Sequence, residues 1–392
     1  MEPSGRVVLS REGVKLVRKG SLSIYNKWIL DATPGLKPGD VIRVYGIEEG
    51  FLGVGFYETY GAIGVRLLTG VDEPVDEHFL KRRLRAAAER RRRMGLREFY
   101  RLVHAEADQM PGLVVDYYKD IAVVQSSCSG FDRLLTTLAE AIADVLGVSQ
   151  VYVRNDARSR REVGLPTYRG RLLGEGDSRT AIREGAATFI VDVLKGQKTG
   201  FYIDQRPNRV ELEQYVREGD KVLDLYSYSG GFGMHAAMMG AEVTFVEESP
   251  IAMELCKENA KLNDVEDRCR FMQAKVKEFL VRDEGKYDVV VIDPPALAQS
   301  QEQLGDAVKT YFAVNTSALS HLKTPGVLFT SSCSFFVSQP QFRKVILDAF
   351  KRVGLKPYFM GRARGSSPCH PIDPKNPATA YLKAYYILAE EA

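Results

Sequence analysis

The 392-residue chain predicts an α/β protein: a doubly wound parallel sheet in the C-terminal half, preceded by a small β unit and a central α+β block. Three observations carry that expectation. From about residue 186, short apolar runs alternate with helical segments, the pattern of a parallel sheet with crossover helices. The last two apolar runs, PYFMG and AYLKAYYILA, have only the Pro-rich RGSSPCHPIDPKNPAT between them, which predicts an antiparallel pair at one edge of that sheet. Residues 1 to about 70, by contrast, hold only short runs punctuated by glycine. A chain of this length suits two or three cores, and the composition shifts place boundaries at 1–72, 73–185 and 186–392.

In the first block RVVLS, GVKLVRKG, DVIRVYGI, FLGVGFYE and AIGVRLLT read as strands, with PGLKPGD as a turn. The second block opens with a basic helix. Its Leu80, Leu84, Ala87 and Ala88 share an apolar face, and its arginines are expected to face out. Strands near 112–117 and 121–125, a helix over 131–146 and a strand at 150–154 follow. The polar stretch REVGLPTYRGRLLGEGDS closes the block. The third block runs strand and helix in turn: KVLDLY, GFGMHAAMMG, EVTFVE, PIAMELCKENAKLN, RFMQA, VKEFLVRD, DVVVID, a long helix to about Leu322, VLFTSS, and a helix from Gln339 that Ser338 and Gln341 can close as a capping box.

Composition is that of an ordinary globular protein, 45% hydrophobic and 27% charged. No apolar run reaches the ~18 residues of a membrane span. The start, MEPSGRVVLSREGVKL, is broken by charges and has no signal-peptide core, so a cytoplasmic location is expected. Five cysteines without a C-x-x-C and five scattered histidines argue against a disulfide framework and a metal site. Net charge is only +3, but Lys81 to Arg101 holds ten basic and two acidic residues. A local excess of that size is the footprint of a polyanion. Arg82, Arg83, Arg90, Arg91, Arg92 and Arg93 are the candidates to meet it; the alternative is a solvated helix face.

Ligands of open α/β sheets bind beyond the carboxyl ends of the strands, and four such ends are marked. In VLDLYSYSGGFG, Asp224 precedes a turn built on Gly230, Gly231 and Gly233. The stretch is neither G-x-G-x-x-G nor a P-loop, and an acid there suits a ligand carrying an amine and a sulfonium. In VEES, Glu247 can accept ribose hydroxyls. In VVVIDPP, Asp293 ends an apolar strand that two prolines stop. In VLFTSSCSFF, Cys333 stands in a polar mouth, where a packing thiol has little reason to be. A lone acid at a strand end is most often a helix cap; three in register beside a thiol are not explained that way.

At these residues the sequence resembles class I S-adenosylmethionine-dependent methyltransferases. More narrowly, it resembles the ribosomal RNA large-subunit methyltransferase I family, which makes 5-methylcytidine. The matching stretches, in the family's order, are YRLVHAEADQMPGLVVDYY, VDVLKGQKTGFYIDQRPNR, LDLYSYSGGFG, VIDPP, SSCS and AYLKAYYI. The resemblance implies an N-terminal PUA-like RNA-binding domain, a central domain and a Rossmann-like catalytic domain. It implies S-adenosyl-L-methionine as cofactor and ribosomal RNA as partner, with no metal and no membrane; the oligomeric state stays open, a homodimer among the options. It places Lys198, Gln205, Arg206, Asp224, Tyr226, Gly230, Glu247 and Asp293 around the cofactor, with Asp204 in the same motif. Several places differ from what such enzymes carry. Ala274 and Lys275 stand where an acid meets the adenine, and Leu297 replaces an aromatic. Pro295 stands where many RNA cytosine methyltransferases carry a second cysteine. GSLSIYNKWIL differs from the usual His-Pro-Trp segment.

Cytosine C5 is a poor nucleophile until a thiolate adds to C6, so such chemistry needs a cysteine, and Cys333 is the candidate nucleophile with Asp293 beside it on the cytosine edge. Cys256 reads as core, Cys128 and Cys269 have no chemical context, and Cys369, beside His370, reads as structural. Two rivals remain: a methyltransferase of guanine N7 or an exocyclic amine, which would leave Cys333 idle, and a non-enzymatic RNA-binding protein on the same scaffold.

Overall fold

A computed structural model describes residues 1–376 and 379–391. The chain divides into two units: Met1–Ile182 with Val191–Ile203 and Pro368–Thr379, and Arg183–Ile190 with Asp204–Ser367 and Ala380–Ala392. Among the described residues no helix is long and apolar enough to cross a membrane.

The second unit is built on seven strands: β1 (Lys221–Leu225), β2 (Glu242–Glu247), β3 (Cys269–Gln273), β4 (Tyr287–Ile292), β5 (Leu322–Ser332), β6 (Leu355–Phe359) and β7 (Lys383–Glu391). Their order across the sheet is β3-β2-β1-β4-β5-β7-β6. The first five run parallel, and β7 lies antiparallel between β5 and β6. The apolar runs VLDL and VVVI are buried on both faces because crossover helices cover both sides. Leu223, Val290, Ile292, Leu328, Phe342 and Ile346 form the fully buried centre of one such layer. The crossover helices begin where side chains satisfy their first amides. Ser249 accepts from the amide of Ala252 at 3.3 Å, and Ser338 and Gln341 close the expected capping box on the helix Gln339–Val353. Strand order reverses between β1 and its neighbours β2 and β4, so the crevice at the carboxyl end of β1 is the place a ligand can enter.

The first unit holds two sheets. One has six strands in the order Ser23–Tyr25, Ile63–Thr69, Gly50–Tyr57, Val41–Gly46, Gly5–Leu9, Ile29–Ala32. The other has five, in the order Tyr168–Leu173, Gln150–Asn155, Ile121–Ser126, Leu113–Tyr118, Phe99–His104. The ribbon Arg179–Glu184 with Ala187–Asp192 carries the chain from one unit to the other.

Several expected elements change here. GVKLVRKG is not a strand but most of the helix Arg11–Arg18: Ser10 accepts from the amide of Gly13 at 3.3 Å, and Val14 and Val17, one turn apart, pack on the same cluster. The helix expected over 131–146 is two helices, Ser129–Arg133 and Leu135–Leu146, joined at Leu134. Phe99–His104 and Tyr168–Leu173 are strands the sequence reading left unassigned. In the basic helix, Glu77–Arg93, Leu80, Leu84, Ala87 and Ala88 are buried as expected, but Arg91 is buried with them.

Candidate active site

The parallel register brings the marked strand ends together. Asp224 pairs with Val291 of β4 and Phe245 of β2, so Tyr226, Glu247 and Asp293 all fall one residue past the last pairs, at the mouth of the crevice. The turn after β1 is held in an unusual backbone. Tyr226 and Tyr228 have φ of 62° and 51°, a region that side chains avoid, and Gly230 has 86°. Gly230 has a second reason to be glycine, since a Cβ there would meet the Cys256 sulfur at 2.8 Å. Cys256 is therefore core, as the helix face indicates.

Each acid keeps only part of its hydrogen-bonding capacity for the fold. Asp224 accepts from the amide of Gly233 at 2.8 Å through Oδ2, capping the following helix, and Oδ1 has no partner among the described residues. Glu247 accepts from the amides of Tyr228 at 2.9 Å and Ser249 at 2.8 Å, pinning the turn. Asp293 accepts from Gln205 Nε2 at 2.7 Å and from the Ser331 hydroxyl, both on Oδ1, and its Oδ2 has no partner among the described residues. Burial pushes the Asp224 carboxyl up to about 7, and the charges of Asp293 and Glu247 push the same way. Asp293 rises to about 6 by burial and the nearby Asp204. Asp204 itself is tied to the Tyr381 hydroxyl at 2.6 Å. Arg209, whose charge reaches both Asp224 and Asp293, is already engaged by Glu184. Acids crowded this way, with the local cation committed elsewhere, suit a positively charged ligand.

The thiol lies on the other side of Asp293. Residue 293 continues the register opposite Ser331, not Cys333. Cys333 sits two residues further on, half-buried, with its sulfur 3.8 Å from the Pro294 carbonyl. The sequence puts Asp293 beside the thiol; the place directly across the ladder is held by Ser331, whose hydroxyl donates to the carboxylate. The neighbouring serines also have work. Ser334 Oγ accepts from the Ala298 amide at 3.1 Å and lies 3.1 Å from the Tyr311 hydroxyl. Lys383, the β7 residue that pairs with Ser332, donates to the Ser334 carbonyl at 2.6 Å. Ser331, Tyr311 and Lys383 were missed from sequence. The dense hydroxyls of TSSCS were a signal for the first; nothing local marks the other two.

Of the remaining candidates, Gln205 and half-buried Arg206 stand at the start of the helix Arg206–Leu212 in this unit. Lys198 belongs to the first unit, with Nζ 4.3 Å from the Tyr202 ring centre. The amide of Ala274 is spent on the Glu247 carbonyl at 3.1 Å, so it cannot stand in for the acid absent there. Leu297 packs against the core.

The basic helix belongs to the first unit. Arg91 is not an outward residue: both ends of its guanidinium meet Asp108 at 2.6 Å, and Nε donates to the Arg101 carbonyl. A guanidinium on the buried face must be paired, and Asp108 supplies that. Arg90 shares Asp108, Arg82 pairs with Glu73, and Arg83 reaches the Leu68 carbonyl at 2.7 Å. Arg92 and Arg93 flank Glu89 and stay 61% and 79% exposed. Cys369 is also buried, its sulfur 3.3 Å from His370 Nδ1.

Comparison with known proteins places this geometry. The chain is 38% identical over 386 residues, 97% of both chains, to a proposed ribosomal RNA large subunit methyltransferase of Methanocaldococcus jannaschii. It is 35% identical over 399 residues, 98% of this chain and 99% of the other, to ribosomal RNA large subunit methyltransferase I of Vibrio cholerae. The chain belongs to the ribosomal RNA large-subunit methyltransferase I family. Within it, residues 7–70 match the PUA-like domain model and residues 210–328 match the model described as conserved hypothetical protein 95. The fold agrees: a proposed SAM-dependent methyltransferase from Streptococcus mutans superposes with a TM-score of 0.80 at 20% identity, covering 98% of this chain and 99% of that one. A crystal structure of a proposed methyltransferase complexed with SAH gives 0.81 at 21% identity, with the same coverage.

Proposed function

We propose that this family member methylates C5 of a cytosine in large-subunit ribosomal RNA, using S-adenosylmethionine and a transient bond between Cys333 and cytosine C6. The observation that carries the reading is a half-buried thiol just past the end of β5, 3.8 Å from the carbonyl of Pro294, whose chain neighbour Asp293 has a second carboxylate oxygen with no partner among the described residues. Membership in a large-subunit ribosomal RNA methyltransferase family supports the RNA and the cofactor.

The residues present fit the cofactor. Asp224 offers an unpartnered carboxylate oxygen to an ammonium, and Asp224, Glu247 and Asp293 together suit the added sulfonium charge. In the same turn Ser227 and Ser229 carry buried hydroxyls with no partner among the described residues. When bound, the cofactor supplies an electrophilic methyl group; the residues do the rest. The Cys333 thiolate adds to C6 and converts the ring to an enamine, which makes C5 nucleophilic. Asp293, raised to about 6, can carry a proton at Oδ2 and give it to N3 as the ring charge develops. Gln205 and Ser331 fix its Oδ1 meanwhile. After methylation the C5 proton passes to a base, N3 returns its proton to Asp293, and the C5–H electron pair expels the Cys333 thiolate from C6, which restores aromaticity. The base must be single-stranded or flipped out to reach such a pocket, and the outward arginines of the basic helix would hold phosphates without reading sequence.

The test is a trap. RNA carrying 5-fluorocytidine at the target should give a covalent complex, because fluorine cannot leave as the proton does. The trapped peptide should contain Cys333 and none of the other four cysteines. Cys333→Ala should abolish methylation with cofactor affinity unchanged. A fully active Cys333→Ala enzyme would instead point to guanine N7 or an exocyclic amine.

A further inference from the structure

One buried charge in the second unit is left over by the mechanism just described. Lys383 opens β7 and is only 6% exposed. Its ammonium donates to the Ser334 carbonyl at 2.6 Å, and among the described residues no carboxylate pairs with it. A buried cation with one neutral acceptor is costly to keep, so something must repay its retention. The groups around it narrow the choice. From β5 and the loop after it come the hydroxyls of Ser332 and Ser334 and the Cys333 thiol. From the helix Leu304–Leu319 comes Tyr311, whose phenol burial raises to about 12, so it stays neutral. Tyr385, two residues along β7, has its phenol raised by burial as well. Asp293, the nearest acid of the site, is occupied by Gln205 and Ser331 on Oδ1. Asp293 keeps its second oxygen open, but the charge that favours the Lys383 ammonium is that of Cys333.

We propose that Lys383 is a positioning residue for the nucleophile: its amine takes up the proton that the Cys333 thiol loses, and the ammonium then holds the thiolate while gripping the loop through the Ser334 carbonyl. The proton balance closes within the pair, thiol plus amine giving thiolate plus ammonium. Burial brings Lys383 down to about 8, close enough to an ordinary thiol for that exchange to be nearly level. The antiparallel register supplies the geometry. β7 returns beside β5, so its first residue lands next to the mouth where β5 releases Cys333.

This inference rests on Cys333 being the nucleophile, so its test avoids the methylation reaction. The full chain is alkylated with iodoacetamide from pH 5.5 to 9.5, and the rate is read peptide by peptide. In wild type, Cys333 should react with a midpoint below the ~8.5 of a free cysteine. In Lys383→Met, which removes the charge and keeps the volume, the Cys333 midpoint should rise, and alkylation at pH 7 should slow about tenfold for every pH unit of that rise. Cys269, whose thiol burial already raises to about 12, is the internal control and should not change. Lys383→Arg should bring the midpoint part of the way back. An unchanged Cys333 profile in Lys383→Met, with cofactor affinity intact by calorimetry, overturns the proposal. If that variant does not fold, wild type alone decides, because a Cys333 midpoint at or above that of free cysteine is equally fatal. Failure of the trap experiment would remove the cytosine reaction without moving this profile, so the two results are separable.

Discussion

Glu184 and Asp224 are both enclosed carboxylates of the second unit, and burial pushes both toward the neutral form. Their company decides the rest. Glu184 grips Arg209 with both oxygens and also meets His235, whose other nitrogen lies 2.6 Å from Glu213. Those cations outweigh burial and hold its carboxyl down at about 2. Asp224 has one backbone amide and two further acids nearby, and rises to about 7. The first cluster is complete without a ligand. The second is short of positive charge, and that shortage, more than burial or acidity, marks it as a site. The basic helix makes the same point with the sign reversed: most of its arginines have acids of their own, so a charge run in sequence overstates what is left for a partner.

The comparison is broken most directly by removing one member from each cluster. Arg209→Ala leaves the buried Glu184 with His235 alone and should cost up to about 3–5 kcal/mol in urea unfolding, the usual penalty for breaking a buried pair. Asp224→Asn removes an uncompensated charge and should leave the ligand-free protein as stable or more so. Equal costs for the two would mean that the Asp224 cluster is structural.

A smaller effect concerns binding. Asp224→Ala and Glu247→Ala should each weaken S-adenosylmethionine binding by about 1–3 kcal/mol, the range for hydrogen bonds to charged groups. Isothermal calorimetry reads this directly. Unchanged affinity in both variants would remove the cofactor from this crevice.

The two clusters should also separate by pH. Asp224 titrates near 7 when folded and ~3.9 when unfolded, so the folded state holds the extra proton between those values. Its contribution is full below pH ~4 and is lost as pH rises through about 7. Glu184 runs the other way: its contribution is present above the unfolded value of ~4.3 and is lost as pH falls toward 2. Between pH 5 and 8, ligand-free wild type should therefore lose stability relative to Asp224→Asn, with a slope no steeper than about 1.4 kcal/mol per pH unit for one proton. Denaturant melts of the two proteins across that range should converge at the acid end. Parallel curves would show that Asp224 is ionised throughout.

How much of this was legible in sequence follows from the same contrast between local and distant partners. Strands such as DVVVID announce themselves because both faces are buried, and the capping box of Ser338 and Gln341 lies within four residues. GVKLVRKG misleads because Val14, Leu16 and the residues between them alternate like a strand, while the Ser10 cap that makes it helical precedes the run. Arg91 cannot be told from its neighbours without Asp108, which lies 17 residues away. Asp224, Glu247 and Asp293 stood out because they end strands, but Ser331 and Lys383 enter through register alone. Lys383 meets the loop after β5 from 49 residues further along the chain.

The smallest effect tests the charge run. With Arg91 buried and Arg90 tied to Asp108, the part of the helix terminus free to meet phosphate is Arg92 and Arg93. Reversing that pair to Glu should cost the fold less than about 1 kcal/mol, since exposed pairs with Glu89 are worth little. RNA affinity should fall at low salt, and the slope of log affinity against log salt should flatten by about 0.7–0.9 for each phosphate that is no longer neutralised. Cofactor affinity should stay as in wild type, because neither arginine is among the candidate cofactor residues. Arg91→Glu makes the opposite control: it should unfold or strongly destabilise the first unit by leaving two acids facing each other in a buried site. Filter binding across a salt series distinguishes the cases. If reversing Arg92 and Arg93 leaves the slope at its wild-type value, this end of the helix is a solvated face, and the positive charge that RNA meets lies elsewhere on the chain.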